Sequence, residues 1–303
     1  MVTFVETDVT VRVPATSANL GPGFDALGIA WSLHDELTAR VSTSGTRVVV
    51  VGEGEGQVPL DERHLVVRSM HAAFDLLGGR PAGIELSCRN VIAHSRGMGS
   101  SSAAIVAGVV LARGLVAGGE LLVDDESLFA LAAEIEGHPD NVAPAFHGGF
   151  TVAGRSGDDL DGPFFAVPLS ADPRVCGVLF VPAEPVATEL ARGLLPAQVP
   201  HAEAAADAGR AALLVAALTG RPELLHTATR DWLHQDHRAA AMPRSHALVA
   251  TLRAEGVPAV ISGAGPTVLA FADASQVDAL AARVPAGWSV HTVQVDPHGA
   301  TLV

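Results

Sequence analysis

The residues best suited to chemistry lie in one run, VIAHSRGMGSSSAAIVAGVVLA, from Val91 to Ala112. Gly97 and Gly99 precede Ser100, Ser101 and Ser102, which lead into a small, apolar tail that reads as a buried helix. Glycines there permit positive φ and let the backbone approach a ligand closely. The serines suit a helix N-terminus, where hydroxyls accept from the unpaired amides of the first turn. Those amides and the positive end of the helix dipole make the loop an anion site, with phosphate the usual occupant. A serine hydroxyl at the same place can also ligate Mg²⁺. Two other readings use the same residues. One is a glycine turn with a serine cap and no ligand. The other takes AHSRG (93–97) as a near match to the GxSxG nucleophile elbow, with Ser95 as nucleophile. Ala93 stands where the elbow needs its first glycine, and the elbow leaves the three serines without a role.

Charge restricts what can bind. The formal net charge of −14 argues against nucleic acid or an anionic membrane surface as a partner. An anionic ligand must then be held by local devices. All 19 basic residues are arginine, and the chain has neither lysine nor tyrosine. The lysine-dependent P-loop, the protein-kinase site and the pyridoxal Schiff base are thereby excluded. Two cysteines, Cys88 and Cys176, make no disulfide framework. The N-terminus lacks the features of a secretion signal, and the apolar stretch from Ala103 stops at Arg113, short of a membrane span. The expectation is a soluble cytoplasmic protein without a membrane partner.

The elements that must position these residues alternate irregularly. Strands are expected at 9–15, 47–52, 148–154, 175–183, 259–263, 267–272 and 289–295. Helical spacing covers 65–77, 100–117, 125–136, 202–218, 222–236, 245–255 and 275–284, with Asp125 and Ser245 as caps and Gly137 and Gly256 as stops. Strands and helices interleave without strict alternation, which points to an α+β fold. The polar, acidic stretch RSGDDLDGP after Gly154 marks a boundary, giving domains 1–155 and 156–303.

Two further glycine loops join the first. VPATSANLGPGFDALGIA (13–30) holds Asn19, Gly21, Gly23 and Asp25, and VISGAGPTVLAF (260–271) sets Gly263, Ala264 and Gly265 between apolar strands. Small residues there allow close backbone approach across a cleft. The succession of PATSANLGPGFDALG, SRGMGSSSAA and SGAGPT, with EGHPDNVAPAFHGGF (136–150) between, resembles the GHMP small-molecule kinases over essentially the whole chain. Within them it is most similar to the branch whose acceptor is L-homoserine. Ala93, Ser95 and Met98 depart from that family's proline, glycine and leucine, and His64 stands where it more often has asparagine.

The resemblance implies an N-terminal ATP-binding domain, a C-terminal ferredoxin-like domain and often a homodimer. It implies ATP at His64, Arg96, Gly97, Met98, Gly99, Ser100, Ser101, Ser102, Gly263 and Gly265, with Mg²⁺ on Ser101 and Glu136. Homoserine would lie against Asn19, Asp25, His138, Asn141, Arg192 and Arg238. Glu136, Asp140, Asn141 and Arg192 would act in phosphoryl transfer, Asp140 as the candidate base. The implied alternatives are a GHMP kinase for a different alcohol and a GHMP-fold sensor without turnover. The pair His234 and His237 reads as surface histidines without the further ligands of a metal site.

Overall fold

A computed structural model describes residues 2–159, 161–186 and 188–303. The chain opens with a long antiparallel pair, β1 (Val9–Asn19) and β2 (Gly23–Ser42). Next come β3 (Gly45–Gly52), α1 (Leu65–Leu77) and β4 (Gly83–Asn90), which lies parallel to β3 and antiparallel to β2. Four helices follow: α2 (Ser100–Gly114), the short α3 (Gly119–Leu122), α4 (Asp125–Glu136) and α5 (Val142–His147). The hairpin of β5 (Phe150–Arg155) and β6 (Phe164–Leu169) completes the first half. The second half runs through β7 (Cys176–Pro182), α6 (Thr188–Gly193), α7 (His201–Gly220), α8 (Leu225–Ala228) and α9 (Pro243–Ala254). It ends with β8 (Ala259–Ile261), β9 (Val268–Ala272), α10 (Val277–Ala281), β10 (Trp288–Gln294) and β11 (Thr301–Leu302).

The first sheet has the order β11-β1-β2-β4-β3, with β5 also on β2 and β6 on β5. The second is antiparallel throughout, in the order β10-β7-β9-β8, which is the ferredoxin-like arrangement. The fold is thus α+β with two layered halves. Every residue of β7 is buried because its two faces serve two cores. Val178 and Phe180 pack with Val249 and Leu252 of α9, while Leu179 and Val181 join the core of the first half. Trp31 of β2 is fully buried against Gly177 of β7, where an added Cβ would sit 3.0 Å from the indole.

α2 is buried on nearly all sides, and its small residues make that feasible. A Cβ on Gly108 would fall 2.6 Å from the Val66 carbonyl, so only glycine lets α1 cross so closely. No helix of the described residues is long and apolar enough to cross a membrane.

Several local expectations change. β1 runs on to Asn19, and the twenty-residue β2 was not foreseen. Pairing on both sides, with β1 and with β4 or β5, overrides its glycines and acids. β6 lies beyond the expected boundary at 155 yet still belongs to the first sheet, and β11 returns to it, so the sheets change over between Leu169 and Cys176. Asp124, not Asp125, caps α4, accepting from the Ser127 amide at 2.8 Å. Ser245 lies inside α9, its hydroxyl donating to the Pro266 carbonyl at 2.6 Å. The helix expected over 222–236 stops at Ala228. Asp231 then captures the amides of Leu233 and Gln235, each at 2.7 Å, and turns the chain away.

Candidate active site

The three glycine loops meet in one cleft. Gly97 and Gly99 have φ of +74° and +72°, and Gly99 is the left-handed N-cap of α2. No side chain caps the first turn. The serines therefore do not serve as caps. Ser101 and Ser102 instead donate their hydroxyls to the same oxygen, Oε1 of Glu136, at 2.6 and 2.7 Å. That leaves the first amides of α2 without side-chain partners, beside a hydroxyl–carboxylate cluster.

The SGAG loop of the second half clamps this loop from the other side. Ser262 donates to the Gly97 carbonyl at 2.5 Å, and a Cβ on Gly97 would fall 2.2 Å from the Ser262 carbonyl. The Gly263 amide donates to the Ala18 carbonyl at 3.0 Å, and Asn19 Nδ2 donates to the Gly263 carbonyl at 3.0 Å. Asn19 Oδ1 accepts from the Asp25 amide at 3.0 Å. Asn19, Leu20 and Asp25 all take positive φ, at +66°, +53° and +54°. Strain of this kind persists where surroundings fix it, and it clusters at functional sites.

A cavity of about 320 Å³ opens between these loops. Asn19, Asp25, Gly97, Gly99, Ser100, Ser101, Glu136, His138, Asp140, Asn141, Arg192, Arg238 and Gly263 all line it. A second cavity of about 290 Å³ shares Ser95, Ser100 and Ser101 with the first and is lined by His64, His94 and Asp35. His64 is buried with Nδ1 lacking a partner among the described residues, and burial followed by the His94 charge pushes its pKa down. Asp35 anchors the chain before the glycine loop, its Oδ1 accepting from Val91 and Ile92 amides at 2.6 and 2.9 Å. Burial raises that carboxyl to about 6, against the lowering by those two amides.

The far end of the first cavity is built from charges. Arg192 on α6 makes a bidentate pair with Asp25, at 3.0 and 2.7 Å. Arg238 is 2% exposed. Its contacts among the described residues are the Ala191 carbonyl at 3.2 Å, the Gly263 carbonyl at 3.5 Å and His234 Nδ1 at 3.3 Å, with no carboxylate. Burial, then the nearby Arg192 charge, lowers its pKa. Both guanidinium groups stand over the Phe24 ring, at 5.5 and 5.3 Å from its centroid. His138 Nδ1 lies 2.8 Å from Asp140 Oδ1. Burial opposes protonation of His138, but the Asp140 bond and the charges of Asp140, Glu136 and Asp25 outweigh it and raise its pKa. Asn141 Oδ1 accepts from the Thr16 hydroxyl at 2.9 Å.

Four expected nucleotide residues lie outside the cavity walls. Arg96 spends its guanidinium on the carbonyls of His94, Pro182 and Ala183, tying the glycine loop to the end of β7. Met98 is core, Ser102 is fully buried beneath Glu136, and Gly265 packs on Met242. Ser95 faces both cavities, but no hydrogen bond among the described residues joins its hydroxyl to a histidine, so no hydrolase relay forms. His234 was missed. Far from being a surface residue, it is 1% exposed beneath the cleft, and nothing in its sequence surroundings distinguishes it from the exposed His237.

Residues 64–149 match the family model of the GHMP kinases N terminal domain, and residues 212–290 match GHMP kinases C terminal. A homoserine kinase of Streptomyces coelicolor is 56% identical over 295 residues, covering 97% of this chain and 94% of that relative. One of Leifsonia xyli is 48% identical over 300 residues, covering 97% and 91%. The crystal structure of homoserine kinase from Cytophaga hutchinsonii superposes with a TM-score of 0.86 at 28% identity, covering 99% of this chain and 98% of that one. The chain belongs to the GHMP kinase family, and within it to the homoserine kinases.

Proposed function

We propose that the cleft transfers the γ-phosphoryl group of ATP to the side-chain hydroxyl of L-homoserine. The observation that carries this reading is Arg238, a buried cation facing the cavity without a carboxylate partner among the described residues. A buried charge is costly unless paired, so the pocket favours a ligand that brings an anion to it. The neighbouring Asp25–Arg192 pair makes the requirement more specific. A zwitterionic amino acid offers its ammonium to Asp25 and Asn19, and its carboxylate to Arg192 and Arg238. Both partners of the pair then remain neutralised, which a ligand of a single charge does not achieve. Guanidinium forks suit a carboxylate bidentately.

On the other side, the amides of Gly97 to Ser101 hold the phosphates at the N-terminus of α2. His64 lines the second cavity, the side on which the adenine base would lie. Ser101 and Glu136 fit Mg²⁺, because their hard oxygens already converge on one point, and the ion when bound neutralises phosphate charge. Asp140, held by His138, is the group set to accept the hydroxyl proton. Phosphoryl transfer passes through a loose transition state, so positioning carries most of the catalysis.

The test is ADP release against homoserine, mevalonate, shikimate and galactose. Turnover confined to homoserine is expected. Preference for another alcohol, or tight ligand binding without ADP release, overturns the reading in favour of a different GHMP kinase or a sensor.

A further inference from the structure

One buried polar side chain at the amino-acid end has no part in the reaction as proposed. His234 follows the Asp231 turn and packs against Phe24, with ring centroids 5.3 Å apart. Its Nε2 lies 2.7 Å from the Gly21 carbonyl, and its Nδ1 lies 3.3 Å from Arg238 Nη1. These partners dictate the tautomer. A carbonyl only accepts, so Nε2 carries the proton; a guanidinium only donates, so Nδ1 must be the bare acceptor. The neutral ring thus joins the loop bearing Asn19 and Asp25 to the cation from the second half.

We propose that His234 is a positioning residue, whose neutral imidazole fixes Arg238 relative to the 19–25 loop and so sets the geometry of the amino-acid pocket. The inference rests on the homoserine reading. Protonation would remove the acceptor and put a second cation against Arg238. Burial keeps the pKa of His234 below the ordinary imidazole value, against the opposing charge of Asp231, whose Oδ2 lies 3.7 Å from Nε2. Arg238 also lowers it and Asp25 raises it, and Asp207 stands behind Asp231, accepting from the Trp232 amide.

The experiment measures homoserine and ATP KM from pH 7.5 to 5, with homoserine binding by calorimetry, for the wild type and three variants. His234→Leu removes both hydrogen bonds. His234→Asn puts an acceptor near the place of Nδ1, and His234→Gln puts a donor near the place of Nε2. At pH 7.5, His234→Leu should raise homoserine KM about tenfold, the scale of one lost hydrogen bond to a charged group, with ATP KM and kcat nearly unchanged. His234→Asn should recover more of the homoserine KM than His234→Gln. The wild-type homoserine KM should climb toward low pH more steeply than that of the Asn variant. A normal homoserine KM in His234→Leu, an equal rise in ATP KM, or an acid limb shared by the Asn variant overturns the proposal. Should the Leu variant not fold, the Asn-over-Gln ranking and the pH difference decide it. A wild type that neither binds nor phosphorylates homoserine brings down the underlying reading and this inference with it. A wild type that does both, beside an unaltered Leu variant, brings down this inference alone.

Discussion

In the function proposed above, the two ends of the cleft recognise charge by different means. At the proposed phosphate end the polar groups come from consecutive residues, Gly97 to Ser101, and the adjoining Arg96 is turned away onto carbonyls. At the proposed amino-acid end Asn19 and Asp25 come from the adjoining ends of β1 and β2, Arg192 and Arg238 from the second half. A polyanion can be held by partial charges at a helix start, because a left-handed glycine and unpaired amides supply them within one turn. A zwitterion needs full charges of both signs at a fixed separation, and no single turn of backbone supplies that. On the proposed reading, a strongly acidic chain without lysine binds phosphate through local backbone but gathers its amino-acid pocket from distant segments.

Substitutions can set the two ends against each other. The largest effect is expected from Gly99→Val. A side chain there meets Thr16 Oγ1 at 1.9 Å and must adopt φ near +72°. ATP affinity should fall at least about a hundredfold, since strain and lost amide contacts each cost ~1–3 kcal/mol. Calorimetry with ATP checks this, and retained ATP binding would place the phosphates elsewhere. Arg238→Ala attacks the opposite end. Homoserine KM should rise about ten- to a hundredfold, at ~1.5–3 kcal/mol for a charged hydrogen bond, with ATP KM steady. Loss of ATP affinity instead would collapse the distinction between the ends.

Glu136→Gln lies between them and keeps the shape while removing the charge. A fall in kcat of at least about tenfold is expected, because a metal clamp contributes several kcal/mol. Unchanged rates at limiting Mg²⁺ would remove Glu136 from the metal site. The smallest effect concerns Asp207, below the turn that carries Arg238. Burial raises its carboxyl to about 6, with the Trp232 amide opposing and the Asp231 charge adding to the rise. The folded state then holds this proton more tightly than the unfolded chain, so its contribution is full below about pH 4 and is lost as pH rises through about 6. In thermal melts at pH 5 and pH 8, Asp207→Asn should flatten the pH dependence of Tm by about 2–4 °C. Equal slopes in both proteins would show that Asp207 does not titrate there.

The legible parts were those whose function sits in local backbone. The left-handed turn at Gly97 and Gly99 was legible because glycine's conformational freedom is intrinsic, and α2 and β7 follow from apolar patterning. The long strand β2 was hidden because its residues serve different partners along its length. Arg96 came in with the family motif, which gives a residue's place in the loop without its side chain's direction. Ser101 and Ser102 read as caps, but Glu136 accepts their hydrogen bonds instead. His234 read as a surface residue because its burial depends on a turn set by Asp231 and on Gly21, more than two hundred positions away.

The sequence by itself determined the positive-φ glycine turn before α2, the absence of lysine chemistry and the two-part α+β plan, since glycine φ freedom, residue inventory and apolar periodicity act over a few neighbours. Tertiary structure alone decided that Asp25 pairs with Arg192, that Arg238 is buried beside them and that His234 bridges Arg238 to the Gly21 loop. Those relations depend on distances between segments remote in the chain, which are fixed only when both cores close around β7.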